Sequence, residues 1–334
     1  VRPVIHWLAG IGIAVGALLS GYFIVATDAW MQHPVGFVRD AHGAIHLESF
    51  WAVLGNPYVG WQYAHTINGA LLTAAFVLAG IGAFYQLTNR HPAFARLSLQ
   101  TGLIAAAVLT VTQAVPTGDL AGKNVARFQP AKLAAMEGLF ETARGAPLAI
   151  IGMPDTRTGQ LLDPIYVPEV LSYLAYGERH ATVTGVADIP AGQRPPIELT
   201  YYGYHIMVGL GTIFFAIAWL GLFLLARKRL TTSRWFLWIL MLTIPFPYIA
   251  NEMGWMVTEV GRQPWVIYGL MRTAEGTSTN VSAGETVFTT LGFAGVYCVL
   301  GLLFLLLCGR IIWKGPDSGD ENGRREPHLY GVPA

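Results

Sequence analysis

Six stretches of the chain carry no Asp, Glu, Lys or Arg: residues 3–27, 49–89, 97–118, 199–226, 235–251 and 286–309. A helix needs about 20 mostly apolar residues to cross a bilayer core, so each stretch has room for one crossing. The run 49–89 exceeds a single span. Its first part, "SFWAVLGNPYVGW", is broken by Gly and Pro and rich in aromatic residues, so it reads as interfacial and puts the helix start near Trp61. Six transmembrane helices are therefore predicted. The alternating short strands of a membrane barrel are absent. Between the third and fourth helices lies a long segment, 119–198, with prolines and with helical stretches such as "PAKLAAMEGLFETA". A structured loop of that length is usually functional. The end, "KGPDSGDENGRREPHLYGVPA", is polar and rich in Gly and Pro, the composition of a mobile tail. The fold class expected is an all-α membrane protein, divided into helices one to three (1–118), a loop (119–200), helices four to six (201–314) and a flexible tail (315–334).

Composition agrees with this pattern: hydrophobic residues make up 53%, charged residues 12%, and mean hydropathy is +0.46. Basic residues set the orientation. Arg90 and Arg96, the group Arg227, Lys228, Arg229 and Arg234, and the tail residues Arg310, Lys314, Arg324 and Arg325 gather on one side. That side is expected to be cytoplasmic, together with the start of the chain. The 119–198 segment then faces outward. The net charge of +1 identifies no partner, and the lack of a basic run speaks against nucleic acid. Cys298 and Cys308 fall in the last span, about 15 Å apart along a helix, beyond disulfide reach. The first span lacks a small-residue cleavage site and reads as a true helix rather than a signal peptide. The opening Val, in place of Met, suggests a processed, trimmed or partial chain.

Several polar residues fall where apolar ones are the rule. His65 in "WQYAHTINGALLTAAF" and Met207 in "YYGYHIMVGLGTIFF" lie at the same predicted depth on different helices. Taken singly, the first is a helix–helix hydrogen bond or a ligand, the second apolar filling or a ligand. Together they make a heme axial pair, and Met raises the potential of such a heme. Gly69, Ala70, Gly203, Gly209 and Gly211 nearby would admit a flat macrocycle, or serve close helix packing. In "TEVGRQPW", Glu259 and Arg262 form an ion pair at i and i+3, or else the carboxylate ligates iron or carries protons while the guanidinium binds a propionate through two hydrogen bonds. Trp255, Gln263 and Trp265 crowd the same place. His205 reads as a core histidine, a propionate partner or a proton carrier. Lys132 and Glu137 lie five apart and, on residue type alone, belong to a solvated loop helix. No phosphate loop, Ser–His–Asp arrangement or zinc pattern is present.

The motifs "WMQHPVG", "AHTINGA", "KLAAMEGLFET", "PLAIIG", "HIMVGLGT" and "GRQPW" occur along the chain. Together they resemble subunit I of the cytochrome bd quinol oxidases, over residues 1 to about 313. The resemblance implies three hemes near the outer face: a low-spin heme b held by His65 and Met207, a high-spin heme b held by Glu259, and heme d. Trp255 would pack among them. It also implies quinol oxidation at the outward loop through Lys132 and Glu137, and reduction of dioxygen to water. The implied partners are quinol, dioxygen, subunit II and, as further candidates, a small single-helix subunit and a separate chain supplying missing helices. The implied place is a bacterial or archaeal cytoplasmic membrane, crossed several times.

Three departures qualify the resemblance. The family has nine helices, and this chain begins where the fourth should. The heme d ligand lies in the missing part, and His6, at the cytoplasmic end, cannot replace it. A fragment or a split subunit is the expectation. His205 stands where the family commonly has Arg, and Asp28 where it commonly has Asn. Two competing readings remain at this level: a quinol-oxidising electron-transfer cytochrome b that does not reduce oxygen, and a non-redox ion transporter.

Overall fold

The computed structural model describes residues 2–316. The predicted tail beyond residue 316 lies outside them. The helices are α1 (Pro3–Gln32), α2 (Phe50–Leu54), α3 (Val59–Leu87), α4 (Pro92–Thr112), α5 (Asp119–Phe128), α6 (Pro130–Glu137), α7 (Val170–Tyr176), α8 (Ile197–Ala226), α9 (Arg234–Thr243), α10 (Phe246–Val260) and α11 (Ala283–Lys314). Among the described residues six helical stretches are long and apolar enough to cross a membrane: α1, α3, Pro92–Phe128, α8, Arg234–Val260 and α11. These are the six predicted spans.

Local sequence sets the boundaries and breaks. Pro3 and Pro92 sit in the first turns of α1 and α4, where a missing N–H costs nothing. Ser282 and Glu285 close a reciprocal capping box at the start of α11. The "TIPFPY" stretch divides the fifth span, because Pro245 cannot continue the hydrogen-bond ladder of α9. In the third span the helix widens into a π-helical turn, Gln113–Gly118, that contains Pro116. Helix then resumes as α5, beyond the charge-free run that ends at Gly118. An Asp119–Lys123 pair at 2.6 Å supports its first turn.

Small residues decide how closely the helices approach. A Cβ on Gly102 would lie 2.7 Å from the backbone of Ala75 and Ala79, and one on Gly82 would lie 2.8 Å from the Leu99 nitrogen. α3 and α4 therefore touch nearly backbone to backbone. Two apolar clusters fill this bundle: Leu99, Leu103, Phe236 and Leu240 with their neighbours toward one end, and Phe76, Ala106, Phe214 and Ala218 in the middle. By contrast α11 buries no residue, and the apolar window of α1 is almost wholly exposed.

The long segment after α5 is folded rather than extended. It has its own core of Ala126, Leu133, Ala146, Leu171, Ala175 and Val183. A hairpin of β4 (Leu148–Asp155) and β5 (Gln160–Val167) rises from it, while β3 (Ala143–Arg144) pairs with β6 (Thr182–Val183). At the same end of the bundle, β1 (Phe37–Arg39) and β2 (Ile45–Leu47) form a hairpin before α2, so the aromatic stretch predicted to be interfacial is a hairpin's exit, a short helix and a turn.

Candidate functional site

The outer turns of α3, the π-helical turn, α6, α8 and α10 enclose a cavity of about 550 Å³. His65, Met207, Trp255, Lys132 and Glu137 all line it. The sequence separates these five residues by up to 190 positions, and the bundle brings them to one wall system.

The His65 ring is held from the side. Thr117 Oγ1 lies 3.3 Å from its Nδ1, and the Gln113 amide nitrogen lies 3.2 Å from Nε2 and 3.3 Å from Nδ1. Both partners come from the π-helical turn. Gln113 is itself held, since Asn68 Nδ2 donates to its Oε1 at 2.5 Å. The Thr117 contact on Nδ1 is of the kind that orients a ligating imidazole, whereas the Gln113 contact on Nε2 takes the place a metal would need. Across the cavity, Met207 rests on Gly254: a Cβ there would lie 2.9 Å from the Met207 sulfur. Gly69 and Gly211 line the cavity as well, whereas Gly203 packs against Met256 and Val257 of α10. So two of the small residues serve the cavity and one serves helix packing.

Lys132 and Glu137 overturn the reading of a solvated loop helix. Residues Ala131–Glu137 of α6 are all buried, with Lys132 2% and Glu137 4% exposed. The helix ends at Gly138 in the left-handed region, φ +60°, and dips between α1, α8 and α10. The Lys132 stem runs over Gly261, where a Cβ would come within 2.9 Å of the Lys132 Cγ. That explains the glycine of "GRQPW" by contact rather than by backbone conformation. Burial pulls the Lys132 ammonium down to about 7, against the favourable carboxylates of Asp28 and Glu259. Burial pushes the Glu137 carboxyl up to about 7, with the Tyr204 hydroxyl next to it opposing the rise. Glu137 Oε2 is buried without a hydrogen-bond partner among the described residues and so invites one.

The second cluster lies beside the cavity. Arg262 is 3% exposed and bridges two carboxylates, Glu259 at 2.6 Å and Asp28 at 2.8 Å. The expected i, i+3 pair is therefore present, but as half of a triad. Asp28 accepts further hydrogen bonds from Gln32 and Gln62. The Glu259 side chain is 48% exposed, open at the surface of the chain, and the Arg262 Nε is buried and unpaired. A planar anion is the group that completes a guanidinium in that state.

Two other expected site residues sit elsewhere. Gln263 accepts from the Thr273 hydroxyl at 2.5 Å, away from the cavity wall. His205 stacks on Tyr201 at 3.9 Å, and its ring nitrogens face the carbonyls of Tyr201 at 3.0 Å and Ala149 at 3.1 Å. It ties α8 to the β4–β5 hairpin, the place of a packing histidine. Asp28 was visible in sequence only as a departure. Gln32, Gln62, Gln113, Gln129 and Tyr204 carry no charge or ligand pattern that singles them out in the sequence. The signal that reveals them is general: uncharged polar side chains within a span need partners.

Comparison with known proteins places the chain among close relatives. Residues 1–316 match the family model of the cytochrome bd terminal oxidase subunit I. The cytochrome bd ubiquinol oxidase subunit 1 of Bacillus subtilis (strain 168) is 35% identical over 329 residues, covering 95% of this chain and 70% of that one. A putative cytochrome bd menaquinol oxidase subunit I of the same organism is 32% identical, covering 96% and 72%. Among solved structures, the bd oxidase from Geobacillus thermodenitrificans superposes with a TM-score of 0.85 at 34% identity, over 93% of this chain and 71% of that one.

Proposed function

Since this chain belongs to the cytochrome bd terminal oxidase subunit I family, we propose that its cavity holds a low-spin heme b between His65 and Met207, with Lys132 and Glu137 forming the quinol site. The chain is a heme-binding subunit of a multi-pass membrane quinol oxidase that reduces dioxygen. That membership sets aside the ion transporter and the cytochrome that does not reduce oxygen. The observation that carries the finer reading is the shared cavity. Two candidate iron ligands on different helices, two wall glycines, a tryptophan and two buried ionisable groups line one volume of about 550 Å³, within the usual range of about 300–1,000 Å³ for ligand sites.

The residues fit a heme. His65 would supply a nitrogen ligand, its Nδ1 held by Thr117 and its Nε2 given up by the Gln113 amide, and Met207 would supply a sulfur ligand seated on Gly254. A heme bound there supplies one-electron transfer. Glu259, half exposed beside a buried Arg262 with a spare Nε–H, suits the ligand of a high-spin heme b with Arg262 on a propionate. Trp255 would pack between the two sites. Heme d completes the family's set.

The chain's own chemistry concerns protons and orientation. Quinol gives up two electrons and two protons. Glu137, with its orphaned oxygen, accepts a proton, and Lys132 holds the quinone oxygen as a cation. Both lie at the end of the bundle that basic-residue asymmetry assigns to the outside, so the protons leave outward. The membrane is taken to be the cytoplasmic membrane of a bacterium or archaeon. Subunit II is the first partner, with a single-helix subunit as another. The decisive experiment replaces His65 and Met207 in the complete oxidase. His65→Ala is expected to abolish the low-spin signal. Met207→Leu is expected to lower its potential or turn the heme high-spin. Unchanged reduced-minus-oxidised spectra in both variants would refute the assignment.

A further inference from the structure

We infer that Gln32 is a positioning residue for quinol oxidation: its amide oxygen holds Lys132 at the cavity wall and joins that cation to the Asp28–Arg262–Glu259 cluster. The inference rests on the reading of Lys132 as the group that holds a quinone oxygen.

Gln32 is the last residue of α1 and is wholly buried. Every hydrogen-bonding position of its side-chain amide is used. The oxygen accepts from Lys132 Nζ at 2.5 Å and from Gln129 Nε2 at 2.6 Å. The nitrogen donates to Asp28 Oδ1 at 3.3 Å and to the Thr258 carbonyl at 3.2 Å. A primary amide has two acceptor sites and two donors, so the count is complete. The orientation is also unambiguous. A flipped amide would turn its NH₂ toward the Lys132 ammonium and the Gln129 NH₂, donors facing donors. Gln129 adds a further clamp by donating to the Gln32 backbone carbonyl at 2.7 Å.

Lys132 has few alternatives. Its other acceptor is the Thr258 carbonyl at 3.0 Å, on the same side. Its stem lies over Gly261, so it cannot sink further toward α10. Among the described residues those two oxygens are the only ones that accept hydrogen bonds from its ammonium. A buried charge that loses an acceptor either moves or gives up its proton. Either outcome removes the cation from the quinone oxygen. The same amide, through its NH₂ on Asp28, couples the location of Lys132 to the carboxylate that holds Arg262. No other described side chain touches both Lys132 and Asp28 by hydrogen bonds.

The test uses the complete oxidase with a short-chain ubiquinol as substrate and tetramethyl-p-phenylenediamine as an artificial donor. Gln32→Met keeps length and removes the acceptor. Gln32→Glu keeps an oxygen facing Lys132 and, with a proton on its other oxygen, one donor toward Asp28 or the Thr258 carbonyl. Gln32→Met is expected to raise the quinol KM about tenfold, as fits the loss of one charge-assisted hydrogen bond, with kcat within about twofold, heme content intact and the artificial donor fully competent. Gln32→Glu is expected to stay within about threefold of the parent KM. The Lys132→Ala variant is expected to be made no worse by adding Gln32→Met, because the second residue acts through the first. If Gln32→Met fails to assemble, Gln32→Ala carries the same comparisons. An unchanged KM in Gln32→Met, an equal rise in Gln32→Glu, or additive effects in the double variant would overturn the inference. Normal quinol kinetics in Lys132→Ala would instead remove the reading of Lys132 on which it rests.

Discussion

Asp28 and Arg262, 234 residues apart in the chain, meet at 2.8 Å in the interior, where Asp28 Oδ1 accepts from Arg262 Nη1. The pair joins the last turns of α1 to the second residue beyond the end of α10. Arg262 also holds Glu259, so one guanidinium serves two carboxylates, and the cluster carries one net negative charge when all three are ionised.

That charge count gives the first prediction. Asp28→Asn keeps an oxygen for Arg262 and removes one negative charge beside the proposed high-spin heme. The reduced iron centre carries less positive charge than the oxidised one and is favoured when a nearby anion is lost. Its midpoint potential is therefore expected to rise, read by a spectroscopic redox titration. Asp28→Ala removes the acceptor too and leaves a buried cation short of partners, a loss of about 3–5 kcal/mol in comparable cases. It is expected to lower the thermal stability of the complex well below that of Asp28→Asn. Equal potentials in all three proteins would detach the triad from the heme.

Glu137 sets a pH dependence. As a proton acceptor it works only as a carboxylate, and burial holds its carboxyl near 7. Quinol-driven oxygen consumption is therefore expected to fall as pH drops through about 7. Lys132 works only as a cation and is also held near 7, so the rate is expected to fall again on the alkaline side. Glu137→Gln is expected to slow quinol oxidation and abolish the acid limb while leaving heme content and the artificial-donor rate intact. An acid limb that survives Glu137→Gln would assign it to another group.

Gly254 carries a prediction about the low-spin heme. An added methyl at that position would meet the Met207 sulfur at 2.9 Å, inside contact distance. Gly254→Ala is expected to shift Met207 and lower the low-spin potential or convert part of the heme to high spin. Gly209→Ala on α8, with open space around it, is expected to leave the spectrum unchanged. The two spectra side by side check whether the contact matters.

Orientation can be read by labelling. Gln160 lies on the exposed hairpin of the long segment, and Lys228 lies in the exposed turn after α8 at the opposite end of the bundle. A membrane-impermeant thiol reagent applied outside intact cells is expected to reach Gln160→Cys and miss Lys228→Cys. The reverse pattern would place the quinol site on the other side of the membrane.

The sequence by itself determined the spans. Charge is excluded from a bilayer core so strongly that the six uncharged runs alone located all six helices; that two of them change course, at Pro116 and Pro245, came from the structure. It also offered His65, Met207, Glu259 and Arg262 as candidates, because a ligand type or an ionisable group within a span stands out against an apolar background, and because the motifs around them are long. Only the tertiary structure decided what surrounds them. The burial of Lys132 and Glu137 follows from α6 dipping between three distant helices, which no local pattern records: by composition it is an ordinary loop helix. His205 became a clasp between α8 and a hairpin because its ring met Tyr201 and the Ala149 carbonyl. Gln32 shows the difference most plainly. A glutamine at a helix end has no periodicity and no charge to announce it, and its four hydrogen bonds run to α1, α10 and the segment after α5. Satisfying an amide in a dry interior is a property of the assembled packing, and the chain's order of residues contains it only through the fold.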